Sequence, residues 1–394
     1  MMSAVLSNPG HPEYGVATIP FPIPHDQYTY CMDLLEALEI GDTVKADCKV
    51  VAFDSVYTVL KRTEMLTVNV EELNYLAKRL ESFDTGEAAQ FQAMAHKLEL
   101  FELKDLINLT FCCQQATVIT DFSDLAAIGR DHYMNLHGGS ASVDELNKLD
   151  GEGTARQLIE SGSGTITPYG VVYDNGMKLE QVYDGRFFPC YYYEPNAITV
   201  AVISKAEPED TEHITWLFLP MVQEEIDRAL LRGGITDLAD VRLRLEDSQL
   251  PNEADVLLDM EYENLSDLNE LAAATDGLSK AEMEKLGAVV MLAKPKSAAQ
   301  IKNLAESLAL FDFAPGTHTP EEYGKYMIQQ SGHFDYDENL DAFYDYEKYG
   351  TERMNEEDGM FTDRGYIAYK GYASMEEVMN GGQSCHMEMG GLSR

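Results

Sequence analysis

Residues in the two halves of this 394-residue chain recur at a single spacing of 195, the distance from Glu72 to Asp267. The segment that recurs there is E-L-N-Y-L-A at 72–77 and D-L-N-E-L-A at 267–272. Two further sets keep this spacing: Leu106, Asn108 and Leu109 with Ile301, Asn303 and Leu304, and Gly164, Thr167 and Gly170 with Gly359, Thr362 and Gly365. Because one spacing holds over about a hundred positions, we predict a duplicated unit and not a solenoid, whose period would be roughly 20–50 residues.

The duplication divides the sequence into four segments. We predict an N-terminal extension at 1–13, a first repeat at 14–195, a second repeat at 196–372 and a flexible tail at 373–394. Within the tail, only 374–379 has the character of a short helix.

Within a repeat, the hydrophobic spacing changes from strand-like to helical and back. The first repeat predicts a Pro-rich edge strand at 19–23, a helix at 26–38, a strand at 48–53 and helices between 73 and 107. Short strands follow, and Asp174-Asn175-Gly176 is typical of a hairpin turn. The predicted fold class is α+β. We expect an elongated multi-domain chain in which each repeat has a small α/β part, a helical part and a β-rich part.

The chain carries 68 acidic residues against 29 Lys and Arg, a formal net charge of −39. Binding to nucleic acid requires a basic surface that neutralises phosphates, and an anionic membrane requires the same. We therefore expect neither direct nucleic-acid binding nor membrane binding. The hydrophobic fraction of 45% and the aromatic fraction of 10% indicate folded cores and not an acidic disordered chain.

The compartment is predicted from what the sequence lacks. No stretch approaches 18 apolar residues, and the first residues show neither the basic nor the apolar segment of a signal peptide. The six cysteines form no C-x-x-C pair. We expect a cytoplasmic protein with reduced cysteines.

Two windows concentrate the acidic residues. Residues 246–270 hold nine acids and no Lys or Arg, and residues 335–358 hold ten acids against Lys348 and Arg353, interleaved with aromatic residues. A solvated surface that keeps the protein soluble is the ordinary interpretation. However, the lack of nearby bases and the self-repulsion favour an ordered field of carboxylates that resembles the phosphates of B-DNA, which carries one charge per about 1.7 Å. The predicted partner-binding residues are Glu246, Asp247, Glu253, Asp255, Asp259, Glu261, Glu263, Asp267, Asp335, Asp337, Glu338, Asp341, Asp345, Glu347, Glu356, Glu357 and Asp358.

No sequence motif indicates catalysis. Residues 335–341 begin like a calcium loop, but Leu340 replaces the glycine and Tyr346 the glutamate that such a loop requires. Phosphate loops, H-E-x-x-H and G-x-S-x-G motifs are absent. We predict no catalytic residues, no cofactor and no metal site.

The closing segments of the two repeats resemble a known family. In the second repeat, Tyr349-Gly350 is followed by Gly359-Met-Phe361-Thr362-Asp-Arg-Gly365-Tyr366-Ile367. The first repeat has the looser version Gly164-Thr-Ile166-Thr167-Pro-Tyr-Gly170-Val-Val, together with E-L-N-x-L-A at 72–77 and F-P-I at 21–23. These segments resemble the ArdA antirestriction family, and the resemblance covers most of both repeats.

The resemblance implies a non-enzymatic inhibitor. ArdA-like proteins are three-part acidic proteins of mobile genetic elements that imitate bent B-form DNA. They occupy the DNA groove of type I restriction–modification enzymes, and they act as dimers of one unit. For this chain the resemblance implies a pseudo-dimer of two joined units, with the DNA-binding subunits of a type I enzyme as partner and with further self-association left open. The second repeat is expected to be the stronger binder.

Other functions remain open from the sequence. A DNA mimic of this kind could inhibit a different defence system, such as a CRISPR effector. An acidic interaction scaffold, or an enzyme whose site the sequence does not reveal, are the remaining alternatives.

Overall fold

The computed structural model describes residues 2–192, 195–207 and 209–382. They form two compact units. The first comprises Met1–Glu194, Glu209–Trp216 and Val222–Asp237, and the second comprises Pro195–Pro208, Leu217–Met221 and Leu238–Arg394. Each unit combines helices with small antiparallel sheets, so the predicted α+β class is confirmed.

The first unit opens with an antiparallel sheet that packs against a helix. The strands are β1 (Met2–Ser7), β2 (Ala17–Phe21), β3 (Cys48–Asp54) and β4 (Thr67–Val68), in the order β2-β1-β3-β4, and the helix is α1 (Tyr28–Ala37). The predicted edge strand, helix and following strand are therefore confirmed. The prediction that 1–13 is an extension is wrong, because β1 pairs with both β2 and β3 and buries Ala4 and Leu6. One short strand whose buried apolar residues are Met2, Ala4 and Leu6 gives too weak a periodic signal to recognise.

Three helices follow in the first unit: α2 (Val70–Glu81), α3 (Thr85–Lys97) and α4 (Leu103–Leu109). Leu73, Leu76 and Leu80 lie on one face of α2 and are buried. The break between α2 and α3 is set by a reciprocal cap, in which Asp84 accepts from the Glu87 backbone N–H and Glu87 accepts from that of Asp84. The helical part is thus confirmed.

The last part of the first unit is a three-stranded sheet with helices. Its strands are β5 (Thr117–Ile119), β6 (Thr165–Thr167) and β7 (Gly170–Tyr173), in the order β5-β7-β6, and its helices are α5 (Leu125–Leu136), α6 (Val143–Lys148) and α7 (Gly151–Glu160). Asn175 and Gly176 form the predicted turn with positive φ. The predicted hairpin is wrong, because both edges of β7 are already paired and the chain after Gly176 cannot add a strand there.

One more helix, α8 (Gln223–Gly233), packs in the first unit although the predicted repeat boundary lies before it. Its Arg232 side chain is 5% exposed. The guanidinium donates to the carbonyls of Thr43, Gly185 and Arg186, to Asn69 and to the Tyr183 hydroxyl. It also lies 4.3 Å from the centroid of the Phe188 ring. A buried cation with this many acceptors holds α8 to residues 183–188 of the same unit.

The second unit has the same classes of parts. Its first sheet contains β8 (Ile198–Ser204), β9 (Thr215–Leu219) and β10 (Val241–Ser248), in the order β10-β8-β9. The helices α9 (Asn252–Asp255), α10 (Leu265–Thr275), α11 (Lys280–Ala293) and α12 (Ala298–Glu306) follow. The remaining elements are β11 (Phe311–Pro315), α13 (Pro320–Gln329), α14 (Tyr346–Glu356), β12 (Asp358–Thr362), β13 (Gly365–Tyr369) and α15 (Met375–Met379), with sheet order β11-β13-β12.

The two units contain the same local contacts at corresponding positions. Asn69 caps α2 and Asn264 caps α10, each by accepting from the backbone N–H three residues later. The Asn74 side chain accepts from the Ile23 N–H at 2.8 Å, and Asn269 accepts from the Met221 N–H at 2.8 Å. The hydroxyls of Thr167 and Thr362 donate to the carbonyls of Gly170 and Gly365, both at 2.8 Å.

The predicted tail and the cysteines complete the description. Helix α15 confirms the short helix expected at 374–379, and residues 383–394 of the predicted tail lie outside the described residues. Cys31, Cys48, Cys112 and Cys113 are free, buried thiols. Cys385 also lies outside the described residues.

Replacing the buried arginine tests its role. We expect Arg232→Met to lower the free energy of unfolding by about 3 kcal/mol, because it leaves buried carbonyls without donors. Chemical denaturation measures this change. Arg130→Met, at an exposed position of α5, is the matched control and should change it by less than about 0.5 kcal/mol. Equal effects of the two substitutions would contradict the role given to Arg232.

Candidate acidic interaction surface

The second acidic window is carried by a pair of helices in direct backbone contact. A Cβ atom on Gly350 of α14 would lie 1.8 Å from the Pro320 carbonyl oxygen, and one on Gly324 of α13 would lie 2.0 Å from that of Tyr346. Only glycine allows so close an approach. The two helices therefore form a fixed base for the segment 330–345 that connects them.

Asp341 organises this connecting segment. One of its carboxylate oxygens accepts from the hydroxyls of Tyr336 at 2.7 Å and Tyr346 at 2.6 Å, and from the Gln329 side-chain amide at 2.9 Å. The hydrogen bonds from Tyr346 and Tyr336 lower the pKa of Asp341. Asp341 therefore stays ionised while it ties the segment to both helices.

Two more predicted residues cap backbone N–H groups and remain exposed. Asp345 precedes α14 and accepts from the Lys348 N–H at 3.1 Å. Asp337 accepts from the backbone and the side-chain amide of Asn339, both at 2.9 Å. Their second oxygens and their charges still face solvent.

The acidic residues at the end of α14 form ion pairs within the protein. Glu357 is partly buried, where it pairs with Arg353 and accepts from the Tyr323 hydroxyl at 2.7 Å. Glu356 lies 3.7 Å from the same arginine. Glu357 thus has a structural role, and Glu356 is partly neutralised.

Four further predicted residues of this window form no ion pair and cap no backbone group among the described residues. Asp335, Glu338, Glu347 and Asp358 are exposed, and none of them forms an ion pair within the described part of the chain. They are the residues of this window best suited to meet a cationic partner.

In the first window, residues 246–270, more of the acidic residues make contacts that stabilise the fold. The Arg364 guanidinium donates two hydrogen bonds to the carboxylate of Glu253 in α9, at 2.9 and 2.8 Å. The arginine lies over Gly287 of α11, where a Cβ atom would come within 2.4 Å of its Nε. The hydrogen bonds from Arg364 lower the pKa of Glu253. This pair joins α9, α11 and the turn between β12 and β13.

Three further acids of the first window are partly buried. Burial raises the pKa of Asp255 and of Glu263. Glu263 accepts from the Ala298 N–H at 3.0 Å, and Asp267 accepts from the Asn264 side chain at 2.6 Å. Glu263 and Asp267 thus make contacts at the N-terminal ends of α12 and α10, whereas Asp255 lies in α9.

The remaining acids of the first window are exposed. Glu246 lies 3.0 Å from Arg244, while Asp247, Asp259 and Glu261 form no ion pair in the part of the chain that the structure describes. The sequence expectation that the first window lacks basic partners is therefore wrong for Glu246, Glu253 and Glu270, since Glu270 lies 3.0 Å from Lys302. All three basic partners lie outside the window, and Arg364 is 111 residues away from Glu253.

Sequence reasoning missed the groups that hold the surface in place. Gln329, Tyr336 and Tyr346 fix Asp341, and Arg364 fixes Glu253. The tyrosines among the acids were a visible signal, whereas nothing in the sequence indicates the partner of Arg364. Among the described residues, no group of three His, Cys, Asp or Glu side chains could hold a metal ion, and no helix is long and apolar enough to cross a membrane.

The family model of the antirestriction protein ArdA matches residues 211–368. This range contains both acidic windows and all the predicted partner-binding residues, and residues 1–210 lie outside it. No curated protein matches the chain. The match supports an antirestriction function in general for a protein that includes this segment, and the ArdA family is one of inhibitors and not of enzymes.

The Glu253–Arg364 pair predicts a dependence of stability on pH. A carboxyl whose pKa is lowered by folding stabilises the protein above its ordinary value of 4.5, and this contribution is lost as the pH falls through the lowered value. We expect Glu253→Gln to reduce the free energy of unfolding by about 1 kcal/mol at neutral pH. The deficit should largely disappear at low pH.

Denaturation of wild type and variant at several pH values measures this difference. Glu261→Gln removes an exposed charge from the same window and serves as the control, with no comparable loss expected. A deficit of Glu253→Gln that is independent of pH would show that the charge of the pair is not its source.

Proposed function

We propose that this protein is an antirestriction protein that acts as a DNA mimic and blocks type I restriction–modification enzymes. The observation that carries the proposal is the ArdA match at residues 211–368, the segment that contains both acidic windows. The exposed and unneutralised carboxylates at Asp335, Glu338, Glu347 and Asp358 support it.

The proposed mechanism is electrostatic. Carboxylates on an ordered surface take the place of phosphates and meet the Lys and Arg side chains of the enzyme's DNA channel. Attraction between a strongly acidic protein and a basic channel accelerates association, and added salt screens it over about 10 Å at 0.1 M. Bound inhibitor excludes DNA, so no chemical step is required of the protein.

We further propose that the chain consists of two tandem copies of one unit. The shared caps, asparagine contacts and threonine contacts of the two units support this, as does the order of elements. β1 and β8 are each flanked by two neighbours in their sheets, so the first copy would begin at β1 and not at residue 14. A single chain would then supply the two units that ArdA-like proteins bring together as a dimer.

Neutralising the free acids tests the proposed surface. The triple variant Asp335→Asn, Glu338→Gln, Glu347→Gln removes three charges from the segment between α13 and α14 and from α14. We expect it to weaken inhibition of a type I enzyme about tenfold or more, mainly through slower association. Inhibition of DNA methylation by the purified enzyme, titrated at low and moderate salt, measures the effect.

The matched control removes three charges elsewhere. Asp26→Asn, Asp33→Asn, Glu36→Gln changes exposed residues outside the matched range and brings the net charge to the same value, from −39 to −36. We expect little loss of inhibition. Equal losses in the two variants would indicate a general effect of net charge and would contradict a specific surface.

The tandem proposal predicts the assembly state. If one chain supplies both units, the molar mass in solution should be that of a single chain, 44.0 kDa. Light scattering on the full-length protein measures it. An obligate assembly of two chains at all concentrations would contradict the proposed pseudo-dimer.

A further inference from the structure

The acidic segment between α13 and α14 also exposes apolar side chains. Phe343 is 83% exposed, Phe334 is 51% exposed and Leu340 is 47% exposed. Single exposed apolar residues are common on protein surfaces, but three within ten residues of one connecting segment call for an explanation. We call Phe334, Leu340 and Phe343 the apolar patch.

The apolar patch lies on an ordered segment. Residues 338–343 form a short 3₁₀ helix whose Asp341 is fixed by Tyr336, Tyr346 and Gln329. Tyr344 packs with the rings of Tyr336 and Tyr346 at centroid distances of 6.1 and 5.7 Å. The tyrosines are thus used to build the segment, whereas Phe343 remains mostly solvent-exposed. Fixing the segment before binding reduces the entropy lost when a partner engages it.

The charges around the patch define the partner. Asp335, Glu338 and Asp345 lie within the same segment and are exposed. An apolar surface bordered by carboxylates is complementary to an apolar recess bordered by Lys or Arg side chains. It is not complementary to a nucleic acid or to an anionic membrane, because both would be repelled.

We propose that the apolar patch is a binding hot spot that inserts into an apolar recess of the partner's DNA-binding channel, with Phe343 as its anchor. This inference rests on the proposed function and adds a second source of affinity to it. Surface charges govern mainly the association rate and its salt dependence, whereas a buried aromatic anchor governs mainly the dissociation rate. The protein therefore does more than imitate phosphates, which carry no apolar group.

Replacing Phe343 separates the contribution of the apolar contact to affinity from that of the surface charges. Full-length Phe343→Ser is compared with wild type for binding to a purified type I specificity–modification complex by surface plasmon resonance. We expect the dissociation rate to rise about tenfold or more, and the association rate to change by less than about twofold. The rise should be the same at about 50 and about 300 mM salt, since an apolar contact is not screened.

Two controls accompany this variant. Tyr372→Ser removes a fully exposed aromatic side chain outside the acidic windows and should leave both rates unchanged. The thermal unfolding midpoint of Phe343→Ser should equal that of wild type, because the side chain is already exposed.

The outcomes distinguish the inference from the proposed function. If wild type binds and inhibits but Phe343→Ser dissociates at the wild-type rate, the hot spot is refuted and the proposed function stands. A rise in dissociation that disappears at high salt would also refute it, because the effect would then be electrostatic. If wild type does not bind the complex at all, the proposed function fails and the inference fails with it.

Discussion

Mutual repulsion among carboxylates is the constraint on which this structure depends. With 68 acidic residues against 29 Lys and Arg, basic side chains are too few to neutralise the surface. Several of them are used inside the fold. Arg232 is buried among carbonyls, Arg228 lies against Glu71 at 2.6 Å, and Arg364 holds Glu253. Placing cations at these junctions stabilises packing and leaves the outer carboxylates unpaired.

Neutral hydrogen-bond donors provide a second solution to the same constraint. Tyrosine hydroxyls and a glutamine amide fix Asp341 without adding a positive charge. They favour the ionised carboxylate, as the lowered pKa of Asp341 indicates, and they do not cancel its charge. A lysine in their place would order the segment equally well but would remove one charge from the surface.

The sequence predicts the helices and several strands well, because apolar periodicity and capping residues are local signals. The spacing of Asp84 and Glu87 indicates a helix cap. The spacing of Leu73, Leu76 and Leu80 indicates a buried helix face. The sequence-based prediction fails where contacts between residues distant in the sequence determine the structure. β7 cannot form the hairpin that Asn175-Gly176 indicates, because its edges are occupied, and β1 is recognisable only through its partners. For the same reason, the division of the acids into structural and free ones requires the positions of Arg364 and Arg353.

The glycine contact between α13 and α14 has a consequence for how such a surface changes during evolution. The contact is made by backbone atoms, so the helix pair does not depend on the residues of the segment that it carries. The first unit has the same arrangement, in which a Cβ atom on Gly129 would lie 1.9 Å from the Gly151 carbonyl oxygen. Its connecting segment contains α6 and shares no aromatic cluster with 334–346. The same kind of glycine contact thus carries two different segments in one chain, and the residues of such a segment can change while the helix pair is retained.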